Sequence, residues 1–485
     1  MKKITLIALL VLLINLTICS ATGLYGLFPI QNYDQNLEHW IHTDPTQANQ
    51  LLLSPALQKE KMQILYQHLY ASDDMGLSAW SKHYIQPMLT QSPPNDILGN
   101  EYHEIAKFTN TAATLPDAVQ YGENFRPYSD GWIKAIQDNM QLQQFAPPLM
   151  YHAKQRAIAI TNLQARILPT IDPSFYRHAR PGEGYPFDNL QISAIWAGTP
   201  LYIVGQTKDH AFDLVSTASF IGWVDSTGVA PASPRFIKAW QVAARKHLVA
   251  ITHETTPMID QRGNFRFSAY IGSLYPLSFL SSQGLVVMIP IMNAWHQAKY
   301  VRAVLSPKEA VLMPMRPTQQ NALLLLNQLL GRPYGWGNLY FNNDCSSELQ
   351  SFYLPFGIWL PRHSAAQVTQ GKMIDLSQKT PEQRLLYLSQ NGHPFFTIIY
   401  IGKHVFMFVG NGENPQEPGK TMVLVYQDIW AFSPPDRQTR SIIGGSVLLP
   451  LLTHYPEDPS LIPLNAGPYF QVSHLDELPS ESANI

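Results

Sequence analysis

The chain has 485 residues and a formal net charge of −2, with 33 basic residues against 35 acidic ones. That balance excludes a broad electrostatic attraction to nucleic acid, and the length predicts several domains of about 100–200 residues each. Charged residues make up only 14% of the chain while prolines number 38, which suits several turn-rich β units better than one long helical array.

Lys2 and Lys3 precede an almost wholly apolar run over residues 4–16, and Cys19-Ser20-Ala21 supplies small residues after it. This pattern reads as a secretory signal over 1–21, and the run is too short for a membrane span. Cys19 offers a second reading, a lipid-anchored cysteine, against which the bulk of Ile18 counts. A retained signal anchor is a third. No other segment is apolar enough to cross a bilayer. The expectation is an exported protein of the periplasm or cell envelope, with no membrane span and no nucleic-acid partner.

Residues 22–150 read as helical and irregular. One helix is predicted within 47–68, carrying Leu51, Leu52, Leu57, Met62, Leu65 and Tyr66. Another is predicted over 132–142, with Ile133, Ile136 and Met140 on one face and Asp130 as its cap. No chemistry stands out there, and the region reads as a packing or docking domain. Over 151–231 the pattern changes to short β-runs at 157–161, 201–204, 212–215 and 221–224, which suggest a small barrel. A second unit of similar texture spans 232–316, with strands at 248–252, 265–271, 285–291 and 300–304. Thr318 caps a strongly apolar helix that Gly331 and Pro333 stop. A loop, a second helix and strands at 397–401, 404–409 and 422–427 then complete an α+β domain over 317–462. Residues 463–485 read as a loose polar tail.

The chemistry centres on Asn343-Asp344-Cys345-Ser346. If Cys19 leaves with the leader, Cys345 is the single cysteine of a large exported chain, which therefore has no internal disulfide. A buried, inert cysteine is the plain alternative. Asp344 is a good N-cap residue for the amphipathic run that follows, so Cys345 falls at the first helical position. Unpaired backbone N–H groups and the helix dipole there favour thiolate over thiol.

A cysteine nucleophile needs an imidazole and a group that orients it. His404 opens an alternating strand and Gln427 ends the next, so a hairpin-like pairing brings the carboxamide to the ring. His363 and His393 compete on residue type alone, but neither opens a patterned strand. No metal or cofactor is expected.

Three stretches then carry a resemblance: Arg332-Pro333-Tyr334-Gly335-Trp336-Gly337, Asp344-Cys345-Ser346, and residues 356–367 with Pro361-Arg362-His363-Ser364. Together with the His404 strand over 399–410 and Gln427 in Val425-Tyr426-Gln427-Asp428, this set resembles the NlpC-type papain-like cell-wall peptidases. Upstream, Pro181-Gly182-Glu183-Gly184-Tyr185 and its neighbours resemble the first bacterial SH3-like barrel that precedes some of these domains. The resemblance implies a multidomain α+β fold. A papain-like catalytic domain of helices and antiparallel sheet follows a helical N-terminal segment and two small SH3-like β-barrels.

It also implies a cysteine endopeptidase acting on peptidoglycan stem peptides or muropeptides, at the bond between γ-D-glutamate and a diamino acid such as meso-diaminopimelate. Carried over residue by residue, Cys345 is the nucleophile, His404 the base and then the acid, and Gln427 the orienter. Tyr334, Asp344, Ser346 and Ser364, with Glu183 and Tyr185 from the first barrel, are the expected substrate contacts. His363 and Lys403 depart from the family pattern at the rim. The alternatives are a non-catalytic peptidoglycan-binding protein and a papain-like amidase or acyltransferase.

Overall fold

The computed structural model describes residues 25–40, 48–178, 180–413 and 421–479. The signal segment and Cys19 lie outside them. No helix among the described residues is long and apolar enough to cross a membrane.

The N-terminal region is helical, as its periodicity predicts. Its main helices are α1 (Pro55–Leu69), α2 (Lys82–Leu89), α3 (Ile97–Lys107) and α4 (Asp130–Met140). Each begins behind a Ser or Asp whose side chain accepts an early backbone N–H, which satisfies an otherwise orphaned donor. In α4 that residue is Ser129 rather than Asp130. Its main core is shared with the following barrel: Ile97, Ile105, Ile133 and Met140 pack with Tyr202, Leu214 and Trp223. Ahead of these helices the short strand β1 (Tyr25–Leu27) pairs with the C-terminal domain.

The first barrel holds seven strands, β2 (Arg156–Ala159), β3 (Leu163–Arg166), β4 (Gln191–Ile195), β5 (Pro200–Gln206), β6 (Phe212–Ser216), β7 (Ile221–Asp225) and β8 (Val229–Pro231). They are ordered β4-β3-β7-β6-β5-β2-β8. The second unit opens with a helix the strand reading missed, α5 (Pro234–Lys246), which buries Phe236, Ile237 and Trp240. Its strands are β9 (Leu248–Ile251), β10 (Thr255–Ile259), β11 (Phe265–Tyr270), β12 (Leu274–Ser281), β13 (Gly284–Met292), β14 (Ala298–Leu305) and β15 (Ala310–Leu312). They form a five-stranded sheet and a separate β10–β11 hairpin.

The C-terminal domain packs α6 (Gln319–Leu329) and α7 (Cys345–Tyr353) on a seven-stranded sheet. Besides β1 the sheet contains β16 (Lys372–Asp375), β17 (Thr397–Tyr400), β18 (Val405–Glu413), β19 (Thr421–Phe432), β20 (Arg440–Pro450) and β21 (Gln471–His474), in the order β1-β20-β19-β18-β17-β21-β16. The core joins Leu349, Phe352 and Tyr353 of α7 to Val405, Met407, Leu424, Tyr426 and Leu448 of the sheet. Both helix and strand faces are apolar at the expected spacing, so burial holds the Cys345 helix against the hairpin.

Two expectations fail here. The region after residue 463 is not a loose tail: β21 lies inside the sheet between β17 and β16, and Phe470, Val472 and Leu475 are buried. The strand carrying Gln427 does not end there but runs on to Phe432. Both errors come from judging strand limits on local polarity, when pairing on both sides sets them.

Candidate active site

Asp344 caps α7 and Cys345 is its first residue. The cap is reciprocal, since Asp344 accepts from the Ser347 N–H at 3.0 Å while its own N–H donates to Ser347 Oγ at 2.9 Å. The Cys345 N–H therefore belongs to the first turn, where no intrahelical acceptor exists.

Asp344 does more than cap. Arg362 grips it with two nitrogens, Nη2 to Oδ2 at 2.6 Å and Nη1 to Oδ1 at 3.1 Å. The same guanidinium donates to Ser346 Oγ at 2.6 Å and, through Nε, to Ser193 Oγ on β4 at 2.7 Å. The arginine holds the Asp344 carboxyl below its ordinary value against the opposing effect of burial. Asp344 and Ser346 are both buried and bonded within a network that fixes the helix tip.

The preceding loop is fixed from the same side. Asn338, Tyr340 and Phe341 adopt left-handed backbone conformations, which cost about 1–3 kcal/mol each unless the surroundings enforce them. Gln191 Nε2 of β4 donates to the Gly337 carbonyl at 2.9 Å, and Asn338 Nδ2 donates to Ser347 Oγ at 2.8 Å. A Cβ at Gly337 would stand 2.9 Å from the Gln191 side chain, so the barrel can come this close only because that residue is glycine.

On the sheet side, β18 and β19 pair antiparallel with Met407 opposite Tyr426. Counting outward along each strand puts His404 and Gln427 on one face. Gln427 Oε1 lies 2.8 Å from His404 Nε2. With that nitrogen carrying the proton, Nδ1 is the bare one. Val405, the next residue, directs its backbone N–H at the Cys345 thiol. The thiol, imidazole and carboxamide are thus drawn from α7, the start of β18 and the middle of β19. His363 is exposed beside Arg362, and His393 sits with Asp476.

The protonation states differ from the sequence expectation. Burial, with Asp344 adding to it, pushes the Cys345 thiol up to about 12, and the Val405 N–H opposes only in part. Burial pushes the His404 imidazole down to about 4, against the Gln427 hydrogen bond. Both shifts favour the neutral forms. The helix dipole argument considered only the donors at the helix tip and omitted desolvation and the neighbouring carboxylate.

Tyr334 is half-buried near Trp430, with ring centroids 6.1 Å apart. Burial, and then Cys345 and Asp344, raise its hydroxyl well above the usual value, so it stays a donor. Ser364 opens a short helix, Ser364–Gln367, whose Gln367 Nε2 donates to the Ser346 carbonyl at 2.8 Å.

The first-barrel candidates are not brought to the thiol by any described contact. Glu183 pairs with Arg180 at 2.5 Å and faces Arg440. Tyr185 leans on Phe175 at 5.3 Å. Phe187 instead reaches the catalytic domain, edge-on to Trp336 and Trp430 at 5.6 and 5.1 Å.

Sequence reasoning missed Arg362, Ser193, Glu348 and Asp428. Arg362 stood within a quoted motif, but nothing local paired it with Asp344. Glu348 accepts from Tyr426, from Ser446 at 2.8 Å and from Asn343 at 2.6 Å. Asp428, next to Gln427, is buried with neither oxygen bonded. Burial, then Glu348 and Asp344, hold it protonated, opposed by Arg332.

A cysteine-bearing helix packed on a mainly antiparallel sheet that supplies a histidine and a carboxamide is a papain-like arrangement. Family models agree part by part: an SH3 domain of SH3b1 type matches residues 173–225, an SH3 domain of SH3b2 type 233–280, and the NlpC/P60 family 331–420. The chain therefore carries an NlpC/P60-family domain behind two SH3b-type domains. Among solved structures, an NlpC/P60 endopeptidase from Photobacterium damselae subsp. piscicida has the same fold. It is 24% identical, with a TM-score of 0.78 over 94% of this chain and 99% of that one. An NlpC/P60 family protein from Bacillus cereus is 13% identical, covering 64% of this chain and 98% of its own, with a TM-score of 0.42. No curated protein sequence matches the chain.

Proposed function

We propose that Cys345, His404 and Gln427 form the triad of a cysteine endopeptidase that hydrolyses peptidoglycan stem peptides at the bond between γ-D-glutamate and a diamino acid. The observation that carries this reading is the 2.8 Å contact between His404 Nε2 and Gln427 Oε1, with the backbone N–H of the next residue, Val405, at the Cys345 thiol on the helix tip. His404 Nδ1 removes the thiol proton as Cys345 Sγ attacks the γ-glutamyl carbonyl.

Gln427 keeps the ring in the tautomer that leaves Nδ1 bare and stabilises the imidazolium with its oxygen. The Cys345 N–H and the Tyr334 hydroxyl receive the developing oxyanion, a contribution of about 10²–10³ in rate per donor. His404 then protonates the leaving amine, and water releases the acyl group. Two SH3b-type domains support a wall-linked substrate, and the leader pattern supports action outside the cytoplasm.

The decisive experiment is digestion of a defined muropeptide followed by mass spectrometry. The parent yields products cut after γ-D-glutamate, and Cys345→Ala yields none while remaining folded by circular dichroism. Cleavage by Cys345→Ala at the parental rate would remove the assignment. Intact muropeptide with both proteins, together with retention on peptidoglycan, would favour a binding protein.

A further inference from the structure

Away from the thiol, three ligand-type side chains meet at the C-terminal end of the sheet. His393 follows α8 (Pro381–Asn391) in the turn before β17, His474 ends β21, and Asp476 lies two residues on. One donor atom from each lies within 4.8 Å of the other two. His393 Nδ1 is 3.0 and 2.9 Å from the two Asp476 oxygens. The two imidazoles face one another with centroids 4.2 Å apart and planes tilted by 26°.

The surroundings orient one of these rings. His474 Nδ1 lies 2.9 Å from Thr397 Oγ1, and the same hydroxyl accepts the His393 N–H at 2.8 Å. That leaves His474 Nε2 with only the distant Tyr387 hydroxyl, at 3.5 Å. One ring nitrogen fixed by a hydrogen bond with the other unspent is how metal-binding histidines are held. The nearby cations are engaged elsewhere, Lys61 donating to the Gln370 carbonyl at 3.0 Å and Lys372 pairing with Glu477 at 2.8 Å.

We propose that His393, His474 and Asp476 bind a divalent transition metal of the zinc class, with water as a further ligand. Two imidazoles and one carboxylate suit zinc, which takes nitrogen and oxygen ligands at about 2.0–2.2 Å in tetrahedral array. Its ligand atoms then stand about 3.4 Å apart, so a pair at the 4.8 Å limit must close by about 1.4 Å. His393 has room to move, with its side chain 39% exposed. The metal joins the last strand of the chain to the turn before β17. It therefore clamps β21 into its place between β17 and β16.

This site is independent of the peptidase reading and is tested apart from it. The background is the full chain carrying Cys345→Ala, so that the active-site thiol is not a ligand. After chelator treatment, Co²⁺ is expected to bind one equivalent and give the visible absorption of a tetrahedral site, which Zn²⁺ displaces. Zn²⁺ is expected to raise the melting temperature, and chelator to reverse it. His474→Ala should weaken Zn²⁺ binding by more than the ~10–100-fold that outer partners account for. Asp476→Asn and His393→Gln, at less buried positions, should do the same if His474→Ala does not fold. Absence of stoichiometric binding, or binding that survives Asp476→Asn and His393→Gln together, overturns the proposal.

Discussion

Two buried aspartates border the thiol and have opposite fates. Asp344, at the helix tip, meets the Arg362 guanidinium and three N–H groups and stays charged. Asp428, on β19, meets no hydrogen-bond donor, feels Glu348 and Asp344, and stays protonated. Both are carboxylates of similar burial, so depth alone does not set their state; the partner does. The saturated side of the site fixes position, since Arg362 ties the tip of the Cys345 helix to Ser193 of the first barrel. The unsaturated side withholds charge, which keeps the local field from becoming still more hostile to a thiolate.

Breaking the saturated side should have the largest effect. Arg362→Leu leaves the Asp344 carboxylate buried and unpaired, and about 3–5 kcal/mol of stability should be lost, read as a lower denaturant midpoint. Arg362→Lys should lose less but still slow turnover, because one ammonium cannot reproduce the planar grip on Asp344 and Ser193. A midpoint unchanged by Arg362→Leu would mean that the network does not hold the helix tip.

Gln427→Leu tests the orienting contact. It should cut kcat/KM by about 10²-fold, within the range of general acid–base effects, while Gln427→His, which keeps a ring nitrogen to accept the Nε2–H, should retain more of the rate. Equal loss in both would assign Gln427 a packing role only.

Acid should unfold the protein partly through His404. Unfolded, the ring takes its proton near pH 6.5; folded, it does so only near 4. Between these values the unfolded chain binds more protons, so stability falls as pH drops from about 6.5 to 4 and levels below that. His68, also held near 4 by burial, acts in the same direction, so the comparison is between the parent and His404→Gln by urea titration. The variant should show a shallower acid slope. A steeper slope would indicate that the site rests as a thiolate–imidazolium pair.

The smallest effect should come from Asp428→Asn. If the acid is already neutral, an amide of the same shape should change stability by no more than about 1 kcal/mol. Asp344→Asn, which strands the Arg362 charge, should cost several-fold more. Similar losses in the two would erase the contrast between them.

Local chemistry in the sequence was enough to place Cys345 on the first turn of a helix and to bring the side chains of His404 and Gln427 together. Caps, turns and alternation are short-range effects, and all of these were read from them. The helix α5, the insertion of β21 and the entry of β1 into the catalytic sheet were not legible, because distant pairing decides them. Nor was the protonation of the thiol. A helix tip lowers a cysteine's pKa wherever it occurs, but desolvation and the approach of Asp344 are properties of the packed interior. Those terms act over a few ångströms in space between residues that chain folding alone brings together, such as Ser193 and Arg362.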